Sequence, residues 1–229
     1  MNPSTEYYNR VADVLAPTYE ALAFEVVHGD TLGFLPTQPC RVLDVGAGSG
    51  RDAAWFARGG HEVVAVEPAT RMRHWAKVRH PSARICWLAD GLPGLSKVGQ
   101  MGLRFELVWL SAVWMHVPPG QRHGAFGNLV ASLAGGGRLI VTLRHGPAPP
   151  ERAMYPVSAA ELQELAGLFR LQMVAITQSD DQLGRTAVGW ESVVLQLPDT
   201  DEKATPPSRQ AQEATYPKAN RPLTKRLGR

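Results

Sequence analysis

The feature that most constrains this chain is a run of three alternating glycines between an apolar segment and a helical one. Arg41–Val45 (RVLDV) has the composition of a short buried strand, and the glycines follow it between positions 46 and 50. Arg51–Arg58 then has the composition of a helix, which Gly59 and Gly60 would end. A strand, a glycine loop and a helix in this order bring backbone N–H groups and the positive helix end up to a ligand.

A second predicted strand, residues 61–66, ends in Glu67. An acidic residue at the tip of the second strand is placed to accept hydrogen bonds from both hydroxyls of a ribose. The two segments together predict a site for a cofactor that carries a nucleoside. The dinucleotide fingerprint requires glycine at its sixth position, where this chain has Arg51.

The sequence VLDVGAGSG, followed by VVAVEP, resembles motifs I and II of the class I S-adenosylmethionine (SAM)-dependent methyltransferases. In that family the acidic residue and the glycine loop hold the methionine part of SAM, and the acidic tip of strand two holds the ribose. The resemblance assigns cofactor binding to Asp44, Gly46, Gly48, Gly50 and Glu67. The alternative is a glycine turn in an ordinary βαβ unit.

Two later segments continue the resemblance. Asp90 follows a predicted strand at 84–89, where the family has a carboxylate that accepts from the adenine amino group, with Leu92 packing on the ring; an aspartate at a strand end is also a common turn former. Ser111 opens the segment after strand four (105–110) and is assigned to the cofactor. His116, later in that segment, is the candidate acid, base or hydrogen-bond partner of the substrate. Alternatively, this histidine orients the loop through a backbone hydrogen bond.

The segment after predicted strand five (138–143) is interpreted as the acceptor end of the pocket. Arg144, His145 and Arg152 gather there, and two guanidiniums with an imidazole suit a carboxylate or a phosphate. With His116, the residues Arg144 and His145 are the candidate catalytic residues. The alternative is a solvated loop in which Arg152 pairs with Glu151.

The resemblance implies an α/β fold: a doubly wound, mostly parallel sheet of seven strands in the order 3-2-1-4-5-7-6. Amphipathic stripes at 5–15 and 19–27, separated by Pro17, resemble the N-terminal helical cap of small-molecule methyltransferases. The predicted organisation is a cap at 1–39, a SAM-binding domain at 40–197 and a disordered basic tail at 198–229, which has several prolines and almost no apolar residues.

The composition of the chain bears on whether it binds nucleic acid, membranes or metals. The net charge is +3, and the last 32 residues account for all of it, with 7 Lys and Arg against 4 Asp and Glu. A neutral body argues against a nucleic-acid partner. The absence of a membrane-length apolar run and of a signal peptide favours a cytoplasmic protein without a membrane partner. Cys40 and Cys86 lack metal-ligand spacing and are expected to be buried thiols, and no metal is expected.

The predicted reaction is in-line transfer of the SAM methyl group to a small-molecule acceptor by a monomer or homodimer. Three alternatives stay open at this point. The same fold could transfer the aminocarboxypropyl group of SAM or cyclise it. The acceptor could be RNA or protein, or the chain could be a SAM-binding regulator. The acceptor atom is equally open among oxygen, nitrogen, sulfur and carbon.

Overall fold

The computed structural model describes residues 3–148 and 151–199. Its strands are β1 (Arg41–Val45), β2 (Glu62–Val66), β3 (Ile85–Leu88), β4 (Phe105–Ser111), β5 (Leu133–His145), β6 (Gln172–Asp180) and β7 (Gly189–Gln196). Its helices are α1 (Pro3–Glu20), α2 (Phe24–Val27), α3 (Arg51–Arg58), α4 (Thr70–Arg79), α5 (Ser96–Gln100), α6 (Arg122–Ser132) and α7 (Ala159–Leu168). None of these helices is long and apolar enough to cross a membrane. Residues 200–229, nearly all of the predicted tail, lie outside the described residues.

The seven strands lie in one sheet in the order β3-β2-β1-β4-β5-β7-β6, which confirms the predicted fold. β1 to β5 pair in parallel, and β7 runs antiparallel between β5 and β6. The carboxyl ends of the parallel strands therefore meet at one edge, where ligands bind in open α/β sheets.

Apolar side chains cover both faces of the sheet. Along β4, Val108 and Leu110 face one buried cluster, whereas Leu107 and Trp109 face the other. This alternation follows from the two-residue repeat of a strand, and a central parallel strand with helices on both faces needs apolar residues on each side. Packing on both faces fixes the position of β4 within the sheet. It thereby also fixes where the segment after β4 begins.

The N-terminal cap differs from the prediction of two helices separated by Pro17. α1 is continuous from Pro3 to Glu20 and includes Pro17. A proline removes one backbone hydrogen bond, and here it does so only in the last turn, where the helix ends anyway. α1 packs on α4 through small buried side chains, Ala12 and Ala16 against Ala69 and Met72.

Strand β5 is longer than predicted. It runs from Leu133 to His145, whereas the predicted strand began at residue 138, so the glycines at 135–137 lie within the strand. β7 pairs with β5 as far as His145, which lies opposite Gly189. Arg144 and His145 are therefore residues of a paired strand and not of the loop where the sequence prediction placed them.

Two smaller features differ from the sequence analysis. Helix α5 was not predicted; the carboxylate of Asp90 supports it by accepting hydrogen bonds from the backbone N–H groups of Lys97 (2.7 Å) and Val98 (3.1 Å). Cys86 is exposed, contrary to the expected buried thiol, because β3 is an edge strand with one uncovered face. Cys40 is half-buried.

Candidate active site

A cavity of about 480 Å³ opens at the carboxyl edge of the parallel strands, beneath the N-terminal cap. Most of the site residues predicted from the sequence line it: Asp44, Gly46, Gly48, Glu67, Asp90, Leu92, Ser111, His116 and Arg144. Two of them do not. Gly50 is buried against Trp87 and His80, and His145 lies 3.4 Å from the carboxylate of Glu191.

Two glycines of the loop lack a side chain for different reasons: Gly46 packs closely against a neighbouring side chain, and Gly48 faces open space. Gly46 has φ +74°, and a Cβ atom there would lie 2.5 Å from Cγ2 of Val113. Gly48 has φ +55°, and its Cβ would have no heavy atom nearer than the Gly46 carbonyl oxygen at 3.9 Å. Only glycine adopts such angles without strain. At Gly48 the missing side chain leaves space that opens into the cavity.

Asp44 places a carboxylate at the floor of the cavity, at the end of β1. The residue is 1% exposed, and its Oδ2 atom has no hydrogen-bond partner among the described residues. Burial, followed by the nearby Asp52, raises the pKa of Asp44 well above its usual value. A buried carboxylate oxygen without a donor is costly unless a cation or donor meets it. Asp44 is therefore suited to bind a positively charged group in the cavity.

Asp52, in the first turn of α3, is the centre of a second buried network. Its carboxylate accepts hydrogen bonds from Arg51 Nε (2.7 Å) and Trp109 Nε1 (3.0 Å), and lies 3.0 Å from His28 Nε2. Burial opposes ionisation of this carboxyl, but Arg51 and then His28 outweigh it, so the pKa of Asp52 lies well below its usual value. The network joins the cap to the glycine loop.

Glu67 lines the cavity beside the glycine loop. Oε2 accepts from the backbone N–H of Gly48 (3.0 Å) and Oε1 from that of Ala69 (2.7 Å). These bonds fix the carboxylate while leaving a further lone pair on each oxygen. Burial raises the pKa of Glu67 to about 7, in opposition to the two backbone donors. The carboxylate is oriented to accept from hydroxyl groups of a ligand.

Asp90 has the turn-forming role that the sequence offered as one alternative, and the residue also lines the cavity. Its carboxylate holds the following turn, accepting from the backbone of Gly91 (2.9 Å) and from the start of α5. Asp90 and Leu92 nevertheless line the cavity. The carboxylate is therefore positioned by the turn that it stabilises.

His116 ends the short 3-10 turn after β4 and faces the cap. Its Nδ1 lies 2.8 Å from the carbonyl oxygen of Ala153, and its Nε2 lies 3.2 Å from the hydroxyl of Tyr8. A carbonyl can only accept, so Nδ1 carries the hydrogen and Nε2 of the neutral ring is an acceptor. Burial lowers the pKa of His116. The backbone contact expected as an alternative is present, and the other ring nitrogen, Nε2, is the one that can accept a proton, with the Tyr8 hydroxyl as its neighbour.

The arginines of the acceptor end come from separate elements. Arg144, at the end of β5, is 7% exposed and donates to the carbonyl oxygens of Gly146 (3.4 Å) and Pro147 (3.1 Å). Arg152 lies over the ring of Tyr8, with its guanidinium carbon 4.9 Å from the ring centre. The structure shows no ion pair between Arg152 and Glu151 among the described residues. Arg152 packs into the cavity wall instead.

The loop between β6 and β7 closes this end. Asp181 accepts from both Nε (3.0 Å) and Nη2 (2.5 Å) of Arg185, and also from the indole nitrogen of Trp190 (3.0 Å). A carboxylate held by a bidentate arginine and an indole stiffens the loop. Both partners of the ion pair line the cavity.

Comparison with known proteins covers one part of the chain that lines this cavity. Residues 42–137 match a protein family described as a methyltransferase domain. By this match, residues 42–137 resemble a methyltransferase domain, and we refer to them as the methyltransferase domain. The match includes the glycine loop, Glu67 and Asp90, and ends just before the parallel portion of β5, so the acceptor end lies outside it.

Individual relatives of the methyltransferase domain show how far the similarity extends. The protein-L-isoaspartate O-methyltransferase of Ralstonia nicotianae is 30% identical over 148 residues, which are 62% of this chain and 40% of the relative. The chain spans between 17% and 56% of the length of the curated relatives that it matches.

Two solved structures share the fold of the methyltransferase domain. The 1,6-didemethyltoxoflavin-N1-methyltransferase of Burkholderia thailandensis superimposes with a TM-score of 0.56 at 22% identity, over 81% of this chain and 79% of its own. Its structure holds 1,6-didemethyltoxoflavin and S-adenosylhomocysteine (SAH). The (4+2)-cyclase SpnF gives a TM-score of 0.63 at 14% identity, over 85% of this chain and 95% of its own.

Sequence reasoning missed several residues around the site of the methyltransferase domain. Tyr8 was not assigned to the site, yet its hydroxyl lies 3.2 Å from Nε2 of His116. His28 and Asp52 received no role, although both line the cavity. The sequence carried one usable signal, an Arg-Asp pair directly after the last glycine of the loop. His28 has no local signal, because only the folded cap brings it to Asp52.

Proposed function

We propose that this chain binds SAM and transfers its methyl group to a small-molecule acceptor that carries a negative charge. The observation that carries the proposal is the pairing of two buried carboxylates, Asp44 and Glu67, around the open space at Gly48. SAM has an ammonium group, a ribose and an adenine, and the cavity offers a matching residue for each. The methyltransferase domain and its solved neighbours with the same fold support this choice of cofactor.

The assignments follow from the donors and acceptors present. Asp44, whose Oδ2 has no partner among the described residues, would pair with the ammonium of the methionine part. Glu67 would accept from the ribose hydroxyls, and Leu92, beside Asp90, would pack on the adenine. Ser111, the last residue of β4, lines the cavity and would lie between the cofactor and the acceptor.

When bound, SAM supplies a methyl group that its sulfonium makes electrophilic. The protein then has to align the acceptor atom with the methyl carbon and the sulfur, exclude water, and accept one proton from the acceptor. His116 is suited to the proton because burial keeps the ring neutral and Nε2 is an acceptor. Tyr8, 3.2 Å away, positions that nitrogen or relays the proton to it.

The charge of the acceptor is inferred from the other end of the cavity. Arg144 is buried there, and Arg152 and Arg185 line the same wall. Guanidinium groups at a pocket wall favour a carboxylate or a phosphate on the ligand. His145 stays a candidate only through its position next to Arg144, since its own side chain contacts Glu191.

The first experiment tests the cofactor by calorimetric titration with SAM, SAH and NADH. Wild type is compared with Glu67→Ala and with Glu62→Ala, an exposed glutamate that pairs with Arg84. We expect micromolar binding of SAM and SAH, at least tenfold weaker in Glu67→Ala and unchanged in Glu62→Ala. Preference for NADH, or equal binding by both variants, would refute the cofactor assignment.

The second experiment tests catalysis by measuring SAH formation across a panel of small carboxylates and phosphate esters. Active acceptors are then assayed with His116→Gln and Tyr8→Phe. A role in proton transfer predicts a lower kcat for His116→Gln with the affinity for SAH unchanged. If no acceptor is methylated although SAM binds normally, the interpretation of the chain as a SAM-binding regulator is favoured over its interpretation as an enzyme.

A second candidate reaction keeps SAM but changes the chemistry. SpnF, named a (4+2)-cyclase, has the same fold. The fold is therefore compatible with reactions other than methyl transfer. Analysis of the spent cofactor distinguishes them: SAH indicates methyl transfer, methylthioadenosine indicates aminocarboxypropyl transfer or cyclisation of SAM, and unchanged SAM indicates a reaction that does not consume it.

A further inference from the structure

Three arginines from different parts of the chain line one wall of the cavity. Arg144 is the second-last residue of β5, Arg152 lies between β5 and α7 in the sequence, and Arg185 lies in the loop between β6 and β7. Burial is the main cause that lowers the pKa of Arg144 and of Arg152, and Arg185 lowers both further. Asp181 opposes this lowering of the pKa at Arg144, and Tyr7 opposes it at Arg152. Arg185 therefore lies close enough to interact with each of the other two arginines. Holding like charges together at a buried wall costs free energy unless an anion lies among them.

The partners of these arginines leave specific donors unused. Arg144 donates its Nη groups to neutral carbonyl oxygens, and its buried Nε has no partner among the described residues. The buried Nε of Arg152 likewise has none, and its Nη2 lies 3.4 Å from His116 Nε2. In the described part of the chain, neither arginine lies within ion-pair distance of a carboxylate.

The charge balance of the wall is positive. Arg185 is neutralised by its two bonds to Asp181. The other acidic residue of this wall, Asp180, is exposed and forms no ion pair with a described residue. Arg144 and Arg152 therefore contribute two charges without counter-ions, and burial weakens the ability of water to compensate them.

We infer that Arg144 and Arg152, with Arg185 beside them, form a subsite for a doubly charged oxyanion of the acceptor, such as a phosphate monoester. This inference rests on the proposed function and narrows its acceptor class. An arginine uses Nε and one Nη to donate two parallel hydrogen bonds to an oxyanion. Two arginines offer two such donor pairs and two positive charges. They therefore match a group with several oxygens and two negative charges better than they match a single carboxylate.

The test is a calorimetric titration of SAH-saturated protein at pH 8 and constant ionic strength. The probes are inorganic phosphate, largely doubly charged at that pH, and acetate as the singly charged counterpart. We expect phosphate to bind and acetate to bind at least tenfold more weakly. Arg144→Gln and Arg152→Gln should each weaken phosphate binding at least tenfold. Arg144→Lys should recover part of it, since it keeps the charge but loses the planar fork.

The matched control is Arg104→Gln, which removes an exposed arginine outside the cavity and should leave phosphate binding unchanged. SAH binding by every variant reports folding and the cofactor site independently. Intact SAH binding without phosphate binding would overturn the subsite and leave the proposed function standing. Equal or tighter binding of acetate would overturn the preference for a doubly charged group. Phosphate binding by a protein that does not bind SAH would support the subsite while refuting the proposed function.

Discussion

Nε2 of His28 lies 3.0 Å from Oδ2 of Asp52, and both side chains are buried. His28 follows the short helix α2 of the cap, whereas Asp52 lies in the first turn of α3, directly after the glycine loop. A carboxylate can only accept, so the imidazole donates across this contact. The cap over the cavity and the loop beneath it are thus joined by one hydrogen bond between residues 24 positions apart.

Asp52→Ala should lower the free energy of unfolding by about 3–5 kcal/mol, because removing one partner of a buried charge network leaves the other uncompensated. Asp13→Ala is the control, since Asp13 forms an exposed ion pair with Arg71 and should cost less than about 1 kcal/mol. Urea unfolding measures both. Equal losses for the two variants would contradict the central role of Asp52.

Gly46→Ala should destabilise the fold by about 1–3 kcal/mol, through its positive φ and the contact of the new Cβ with Val113. The double variant Gly46→Ala/Val113→Ala removes the contact and keeps the backbone strain. It should therefore be less unstable than the sum of the single variants in thermal unfolding. Simple additivity would show that the contact with Val113 does not matter.

Glu161→Ala should cost about 3 kcal/mol of unfolding free energy, because the buried guanidinium of Arg122 would lose its carboxylate. Glu161 accepts from Nη1 of Arg122 at 2.7 and 2.8 Å. Glu164→Ala changes an exposed residue of the same helix and should be nearly neutral. Chemical denaturation of the pair provides the measurement, and a mild effect at Glu161 would contradict this account.

The affinity for SAH should rise with pH between 6 and 8, because ribose hydroxyls donate to the ionised form of Glu67. Burial raises the pKa of this carboxyl to about 7. Below that value each pH unit should weaken binding by up to about tenfold. Calorimetry across this range tests the slope, and Glu67→Gln should show weak binding with little pH dependence. A flat profile in the wild type would contradict ionisation of Glu67 on binding.

Glu67 should also shape the stability of the ligand-free protein. A raised pKa means that the folded state holds the proton more tightly than the unfolded chain does. The stabilisation that protonated Glu67 gives to the folded state is therefore complete below its ordinary pKa of 4.5, and it is lost as the pH rises through about 7. In urea unfolding, the free energy of unfolding of Glu67→Gln minus that of the wild type should be higher at pH 8 than at pH 5. The opposite trend would mean that Glu67 is ionised in the folded protein throughout.

The sequence by itself determined much of the parallel part of the fold. The bounds of β1 and α3 agree with prediction, because each depends on a local apolar run or a glycine signal. The sheet order came from the resemblance carried by the glycine loop and Glu67. The boundaries of β5 did not follow, since the pairing of His145 with Gly189 depends on a strand far away in the chain.

Only the tertiary structure decided which side chains meet in the cavity. His116 was found from its place after β4, but its partner Tyr8 comes from a helix more than a hundred residues earlier. Arg144 and His145 are neighbours in sequence, yet one lines the cavity and the other contacts Glu191. Successive side chains of a strand point to opposite faces, so once β5 extended through both residues only one of them could reach the cavity.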